Sequence, residues 1–313
     1  MVHEGLFSAH QPLAALLAAV AMPVPVIWAY VAAVAMLAIG LVIIFKNELP
    51  QLRGIDRLYP FGRLCYAIPL AVFSTEHFNF TTGIASMIPR WIPWHIFWAY
   101  FVGFALFAAS LAITTRIQAG LAAAGCGLMF FLFVMFMTVP ALKEDPINRI
   151  SWALFFRELG FSGGATAFAG AHWMNGYGAR RAPWLVTVGR GLMTGSFLLF
   201  GVENFLHPLN MPVVPLEKFM PAFIPAQHLW SYLAGAALLV AGVCMVLNKH
   251  TRRAATCLGI VILLVELAVY VPLLLSVPGD MDQGLNYFFD TLMYGGAVLL
   301  LAEALPKEGQ VHA

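Results

Sequence analysis

Charge is scarce in this sequence. Asp, Glu, Lys and Arg make up only 10% of its 313 residues, whereas hydrophobic residues make up 61%. A soluble globular domain carries about 25% charged residues, so this composition excludes an ordinary soluble domain and indicates a membrane protein. The formal net charge of +2 is also small, and no segment forms a basic arm. These two features argue against a nucleic-acid partner.

Several motifs of enzymes and of secreted proteins are missing as well. The sequence has no Gly-rich phosphate loop, nucleophile elbow or metalloprotease motif, so phosphoryl transfer and hydrolysis have no support. The four cysteines form no Cys-x-x-Cys pair, which disfavours disulfide exchange. The apolar segment 11–22 follows no Lys or Arg. Because a signal peptide needs a basic region there, we expect an uncleaved lead-in.

Long apolar runs are what the sequence has instead. A helix needs about 20 apolar residues to cross a hydrocarbon core of about 30 Å. Nine such runs predict an all-α, polytopic membrane helix bundle of about nine transmembrane helices. They lie at about 24–45, 62–80, 95–114, 118–140, 152–173, 185–207, 229–247, 255–276 and 285–305.

Six short motifs occur twice in the same order. The first copy reads Gly62-Arg63, Glu76, Pro89-x-x-x-Pro93, Trp98-x-Tyr100-x-x-Gly103, Val139-Pro140 and Glu158-x-x-x-x-Gly163-Gly164-Ala165. The second reads Gly189-Arg190, Glu203, Pro221-x-x-x-Pro225, Trp230-x-Tyr232-x-x-Gly235, Val271-Pro272 and Asp290-x-x-x-x-Gly295-Gly296-Ala297. The offset is 127 residues for the first two motifs (189 − 62) and 132 for the other four (221 − 89). One five-residue insertion reconciles the copies, so the pattern predicts an internal duplication.

The duplication predicts four segments. Residues 1–60 form an N-terminal membrane helix and a basic connector, 61–176 the first four-helix unit, 184–305 the second, and 306–313 a cytoplasmic tail. Because each unit has an even number of helices, the repeats are parallel. The Pro-rich loops at 81–94 and 208–227 predict an ordered lid, and the Gly-Gly-Ala runs predict close helix packing.

The distribution of Lys and Arg predicts the orientation. Twelve of the 17 fall in loops of one side, four fall on the other, and Arg157 lies inside a helix. By the positive-inside rule, the N-terminus lies outside and the C-terminus in the cytoplasm of a bacterial inner membrane. The twelve are Lys46, Arg53, Arg57, Arg63, Arg116, Arg180, Arg181, Arg190, Lys249, Arg252, Arg253 and Lys307, and the four are Arg90, Lys143, Arg149 and Lys218.

Six charged residues fall within the predicted spans in the half of the bilayer that faces outside. An ionised side chain at this depth costs several kcal/mol unless it is paired or hydrated, so we expect a shared polar cluster or a water-filled vestibule in the outer half of the bilayer. These candidates for binding a ligand or handling protons are Arg157, Glu158, Glu266, Glu76, Glu203 and Asp290.

Two of the six break the repeat. Arg157 aligns with Phe289 and Glu266 with Val134, so function is expected where the halves differ. The alternative is that Arg157 only neutralises neighbouring carboxylates and holds the repeats together. A metal site is a weaker hypothesis: Glu203 and His207 are spaced i, i+4 on one helix and face the same side.

The order of these motifs resembles the DoxX-like family of small membrane proteins. The resemblance covers about residues 61–305 and is closer in the second copy. The family includes the small subunit of a thiosulfate:quinone oxidoreductase, and most members have one four-helix unit. The resemblance implies a membrane subunit or accessory factor of a quinone-linked redox system, with a quinone as the implied cofactor and a protein partner in a membrane or periplasmic complex.

Two other classes of function stay open. The chain could be a non-catalytic membrane binder or transporter of a lipid, peptide or small polar solute, which would use the cleft between the repeats. It could also be a purely structural subunit. If it takes part in catalysis, we expect it to do so as a membrane subunit of a quinone-linked oxidoreductase, and no catalytic residue is assigned.

Overall fold

The computed structural model describes residues 22–172 and 182–307. Within these ranges the secondary structure is helical, apart from one isolated antiparallel bridge between Asn210 and Phe219. Almost all of the apolar segment 11–22, most of the linker at 175–183 with Arg180 and Arg181, and most of the tail at 306–313 lie outside the described residues.

The helices follow the predicted apolar runs closely. They are α1 (Val24–Ile43), α2 (Tyr59–Asn79), α3 (Thr81–Met87), α4 (His95–Thr115), α5 (Ala119–Phe133), α6 (Val139–Glu144), α7 (Arg149–His172), α8 (Pro183–Leu206), α9 (Gln227–Val246), α10 (Thr251–Val265), α11 (Val271–Ser276) and α12 (Tyr287–Ala304). Short π-helical segments extend or join them at Ile44–Glu48, Val134–Thr138, Glu266–Tyr270 and Met281–Asn286.

Seven helical segments of the described chain are long and apolar enough to cross a membrane. They are Val24–Glu48, His95–Thr115, Ala119–Glu144, Pro183–Leu206, Gln227–Val246, Thr251–Ser276 and Met281–Ala304. The prediction of a polytopic, all-helical membrane protein is therefore supported by length and composition.

Two of the nine predicted spans, α2 and α7, are not among these seven. Their lengths of 21 and 24 residues are sufficient, but they are less apolar than the others. Both are largely buried, with α2 packed against α1, α4 and α12 and α7 against α5, α8 and α12. Helices that face other helices instead of lipid tolerate more polar side chains, which explains their composition.

The helices pack as two similar groups around α7 and α12. In one group α4 lies between α2 and α5, and α5 packs on α7; in the other α9 lies between α8 and α10, and α10 packs on α12. The groups meet through three contacts: α7 with α8, α12 with α2, and α7 with α12. Helix α1 lies outside both groups and covers α2 and α4.

Backbone features of the two groups recur at the spacing of the sequence motifs. Trp94, Arg116 and Gln118 have left-handed backbone conformations, as do Ala226, Asn248 and His250. Each pair is separated by 132 residues (226 − 94, 248 − 116, 250 − 118). The same offset relates the π-helical segments that begin at Val134 and Glu266. Similar turns therefore connect the helices of both groups.

Glycines allow the central helices to approach closely. A Cβ atom on Gly164 would lie 2.4 Å from the carbonyl oxygen of Ala297, and one on Gly296 would lie 2.4 Å from the backbone nitrogen of Tyr66. Real Cβ atoms essentially never come so near backbone. The predicted packing role of the two Gly-Gly-Ala runs is confirmed at these positions.

The loop at 208–226 folds back over the helix ends, and we call it the lid. The Asn204 side chain accepts a hydrogen bond from the Val213 N–H at 3.0 Å and donates one to its carbonyl at 3.1 Å. The Tyr270 hydroxyl donates to the Pro212 carbonyl at 2.5 Å. Met211 and Val213 are fully buried. The predicted ordered lid is thus confirmed for this loop, and we name this end of the bundle the lid end and the opposite end, at 49–58, the connector end.

Substitution of Gly164 by alanine tests the packing of α7 on α12. We expect Gly164→Ala to destabilise the protein by about 1–3 kcal/mol, because the added methyl group must displace backbone. Gly191→Ala is the control, since a Cβ at that helical position meets no atom within 4 Å. Thermal unfolding in detergent measures both; equal unfolding temperatures for the two variants would contradict the close contact.

Candidate functional site

Arg157 is the centre of a charged cluster near the lid end. It donates from Nη1 to Asp290 Oδ2 at 2.6 Å and from Nη2 to Glu158 Oε1 at 2.9 Å. The three side chains are only 17%, 19% and 14% exposed. Asp290 lies on α12 and Arg157 on α7, so one guanidinium connects the two helix groups. Charge-assisted hydrogen bonds of this kind are among the strongest in proteins.

The cluster is not fully satisfied within the described part of the chain. Four buried polar atoms near these helix ends have no hydrogen-bond partner there: Arg157 Nε, Glu158 Oε2, Glu76 Oε1 and Asn286 Oδ1. Glu76 lies near the end of α2, which packs against the α12 helix that carries Asp290. An unsatisfied buried polar group costs about 1–3 kcal/mol. The cluster therefore offers both a donor and acceptors to a polar ligand.

The lid approaches this cluster through Tyr287, the first residue of α12. The Lys218 backbone N–H donates to the Tyr287 hydroxyl at 3.3 Å, and the Lys218 Nζ lies 5.4 Å from the centre of the Tyr287 ring. Nζ also donates to the carbonyl and the side-chain oxygen of Gln283, at 2.8 Å each. A fixed loop thus covers the α12 end from which Asp290 projects.

Glu203 belongs to a separate ion pair. Arg149 Nη1 donates to its Oε2 at 3.0 Å, and the same guanidinium donates to the Pro215 and Leu216 carbonyls of the lid at 2.7 and 3.0 Å. One shared cluster of all six candidates is therefore not formed, because Arg149 neutralises Glu203 locally. The pair holds the lid on the ends of α7 and α8.

The arrangement around Glu203 bears on the metal hypothesis. His207 Nε2 lies 3.6 Å from Glu203 Oε2, so the predicted i, i+4 proximity is present. Arg149 contacts the same oxygen. Within residues 22–172 and 182–307, no group of three His, Cys, Asp or Glu side chains is arranged to hold a metal ion. The pair alone lacks the further ligands that a protein metal site needs.

Glu266 is buried and forms no salt bridge with any of the described residues. It is 3% exposed, and neither carboxylate oxygen has a hydrogen-bond partner among the residues described. It is the first residue of the π-helical segment Glu266–Tyr270, and such segments are frequent at functional sites. Val134, at the equivalent position, is fully buried. Glu266 is thus a second place where the groups differ in polarity.

A second charged cluster lies at the connector end, and its residues are not among the six candidates identified from the sequence. Arg63 pairs with Glu48, which follows α1, and with Glu303 of α12 at 2.9 Å. Arg252 pairs with Asp56 at 3.0 Å. A charged residue within a predicted span could have indicated this cluster, since Arg63 and Glu303 both lie in such spans. The pairing was not predictable, because the two partners of Arg63 lie 15 and 240 residues away from it in sequence. These side chains line a cavity of about 290 Å³.

Comparison with family models, curated proteins and solved structures finds no match for this chain.

Asp56 makes the stability of the folded protein depend on pH through the connector end. Partial burial opposes its ionisation, but Lys307, whose Nζ lies 2.5 Å from Oδ2, and Arg252 together lower its pKa below the ordinary value. Ionised Asp56 therefore stabilises the folded protein fully above the ordinary Asp pKa of about 3.9. That contribution is lost as the pH falls through the lower pKa of the folded state.

We expect Asp56→Asn to lower the unfolding temperature at neutral pH and to have a shrinking effect below about pH 4. Thermal unfolding across this range measures the difference from wild type. Asp282→Asn, which alters an exposed carboxylate at the lid end, controls for general charge effects. An Asp56→Asn effect of constant size at every pH would refute the ion-pair explanation.

Proposed function

We propose that the chain is a DoxX-like membrane subunit or accessory factor of a quinone-linked redox system. In this proposal it consists of two parallel four-helix units preceded by α1, and it crosses the membrane nine times. The spans of the first unit are α2, α4, α5 with α6, and α7, and those of the second are α8, α9, α10 with α11, and α12. The left-handed residues and π-helical segments that recur at 132 residues support the duplication. The burial of α2 and α7 supports their inclusion as spans, since their neighbours shield them from lipid.

The same proposal places the protein in a bacterial inner membrane, with the lid end outside. The arrangement of charges supports this orientation. Arg63, Arg116, Arg252 and Lys307 meet at the connector end, and all four belong to the group that the positive-inside rule assigns to the cytoplasm. Arg149 and Lys218, assigned to the opposite side, contact the lid or lie in it.

The observation that carries the proposed function is the unsatisfied polarity around Arg157. The head group of a quinone presents carbonyl oxygens, which accept hydrogen bonds. Arg157 Nε is a buried donor without a partner in the described chain, while Nη1 and Nη2 are held by Asp290 and Glu158. Two carboxylates thus fix the guanidinium so that its Nε–H can bind and orient the head group.

Protons are the second requirement of quinone chemistry. Conversion of a quinone to a quinol takes up two electrons and two protons, and the electrons would come from the partner redox enzyme. Glu76 and Glu158 each keep one buried oxygen without a hydrogen-bond partner among the described residues, so either group can hold a proton beside the head group. Glu266 is a deeper carboxyl group with the same property.

The lid supplies the surface at which we expect a redox partner to bind. Hydrogen bonds to α7, α8 and α12 fix its backbone, whereas Phe219 and Phe223 are 66% and 56% exposed. A rigid loop with exposed aromatic side chains lowers the entropic cost of binding a protein. The lid also covers the Arg157 cluster, which would place the partner next to the bound head group.

A single substitution of Arg157 is a poor test. Arg157→Leu would leave Asp290 and Glu158 buried without their cation, which typically costs about 3–5 kcal/mol. The double variant Arg157→Gln with Asp290→Asn removes one charge of each sign, so it preserves the local balance. Arg252→Gln with Asp56→Asn, which removes an ion pair at the connector end, is a matched control.

We expect the Arg157/Asp290 double variant to insert and fold but to retain at least about tenfold less quinone, because it loses hydrogen bonds to a charged donor. The Arg252/Asp56 variant should retain quinone near the wild-type amount. Extraction of quinones from protein purified in native lipid, with quantification against protein, measures both. Undiminished quinone in the Arg157/Asp290 variant would refute the proposal and favour a purely structural role for the cluster.

A further inference from the structure

Helix α1 covers one side of the first helix group. Leu64 and Ile68 of α2 pack with Ala29 and Met36 of α1 in one buried cluster. A Cβ atom on Gly40 of α1 would lie 2.4 Å from the Leu64 side chain, so the two helices are in close contact. The first group thus binds a membrane helix on the outer face of α2.

At the connector end this contact is ionic. Glu48, which follows α1, pairs with Arg63 of α2, and its Oε2 also lies 3.5 Å from Nη1 of Arg116, the residue after α4. The Glu48 side chain is only 4% exposed. Charge-assisted hydrogen bonds of this kind are stronger than neutral ones. Two basic residues of the first group therefore bind the carboxylate at the end of the covering helix.

The second group has donors at the same two positions but no acidic partner for them. Arg190 and Asn248 are the counterparts of Arg63 and Arg116, at the offsets of 127 and 132 residues that relate the repeats (190 − 63, 248 − 116). The Arg190 guanidinium donates to the Asn248 side-chain oxygen, and it forms no salt bridge with a carboxylate in the described part of the chain. The guanidinium has five N–H donors and the amide has two. The pair can therefore bind a carboxylate from outside the chain.

The outer face of α8 is open where that of α2 is covered. Gly191 is the counterpart of Leu64 (191 − 64 is 127), and a Cβ atom on it would meet no atom within 4 Å. Val188 and Val202, on the same side of α8, are 45% and 47% exposed. Among the described helices, none packs on α8 as α1 packs on α2. The face therefore has a hollow at the position where the first group has a large side chain under α1.

The charges on this face indicate what kind of helix would cover it. Membrane helices associate through small residues, which let backbones approach, and through hydrogen bonds between helices. Gly191 and Arg190 supply both. A twofold contact between the α8 faces of two copies would bring two Arg190 guanidinium groups together, and like charges repel. Helix α1 of another copy has no carboxylate to offer, because Glu48 is bound within its own chain. The complementary occupant is therefore an acidic helix of a different protein.

We propose that the outer face of α8 binds one transmembrane helix of a different protein, which runs along α8 as α1 runs along α2. An Asp or Glu near the end of that helix binds Arg190 and Asn248, and a large apolar side chain fills the hollow at Gly191. None of these residues belongs to the Arg157 cluster, so the inference does not depend on the proposed redox function.

Site-specific photo-crosslinking in native membranes tests the assignment. Benzoylphenylalanine in place of Val188 should form an adduct of one defined mass with a second protein. The same replacement of Leu121, which is 58% exposed near the connector end of α5, is the lipid-facing control and should form none. Arg190→Gln should lower the adduct yield about tenfold, because charge-assisted hydrogen bonds are lost. Arg53→Gln, at an exposed position of the connector, should leave the yield unchanged. Gly191→Leu should lower the yield by filling the hollow.

Mass spectrometry of the adduct identifies the cross-linked segment. We expect an apolar run of about 20 residues with an Asp or Glu near the end that lies beside Arg190. Replacement of that acid by its amide should lower the yield as much as Arg190→Gln does, and the two changes together should lower it no further. Absence of a protein adduct at Val188, or an adduct only with lipid, a second copy or the chain itself, would overturn the inference. An undiminished yield in both Arg190→Gln and Gly191→Leu would do the same. Gel filtration verifies that the variants fold.

Discussion

Because the hydrocarbon interior of a bilayer offers no hydrogen bonds, each charged side chain within the bundle must find its partners inside the protein. The pairing of Arg157 with Asp290 meets this requirement between α7 and α12, the helices at which the two groups meet. Close packing at Gly164 brings the same helices together. The contact is therefore both apolar and ionic, and the polar atoms it leaves unsatisfied define the candidate site.

Helix α1 makes the two helix groups different. Among residues 22–172 and 182–307 it has no counterpart beside the second group, and the Glu48 that follows it pairs with Arg63. Arg190, which occupies the position of Arg63 in the second motif copy, instead contacts Asn248 and is exposed. Helix α1 and the residues after it thus give Arg63 a buried carboxylate partner, whereas Arg190 stays exposed. The two groups therefore differ at the connector end and at Arg157 and Glu266.

Much of the fold is readable from sequence, because the spacing of apolar runs determines where helices can lie in a membrane. The apolar run at 229–247, for example, corresponds to the helix Gln227–Val246. The small residues of both Gly-Gly-Ala runs allow close contact between helices, as predicted. The partners of the charged residues were less predictable. Ion pairs join Arg149 to Glu203 and Arg63 to Glu303, which are 54 and 240 residues apart in sequence. Which of several carboxylates each arginine binds depends on distances that are determined only when the helices pack.

An experimental density map of the protein in its native lipid is the most direct test of a ligand at Arg157. We expect density for a polar head group in contact with Arg157 Nε, with the guanidinium held by Asp290 and Glu158. A map in which the helices close around Arg157, with every polar atom of the cluster bound to protein and no ligand density beside it, would contradict the central claim.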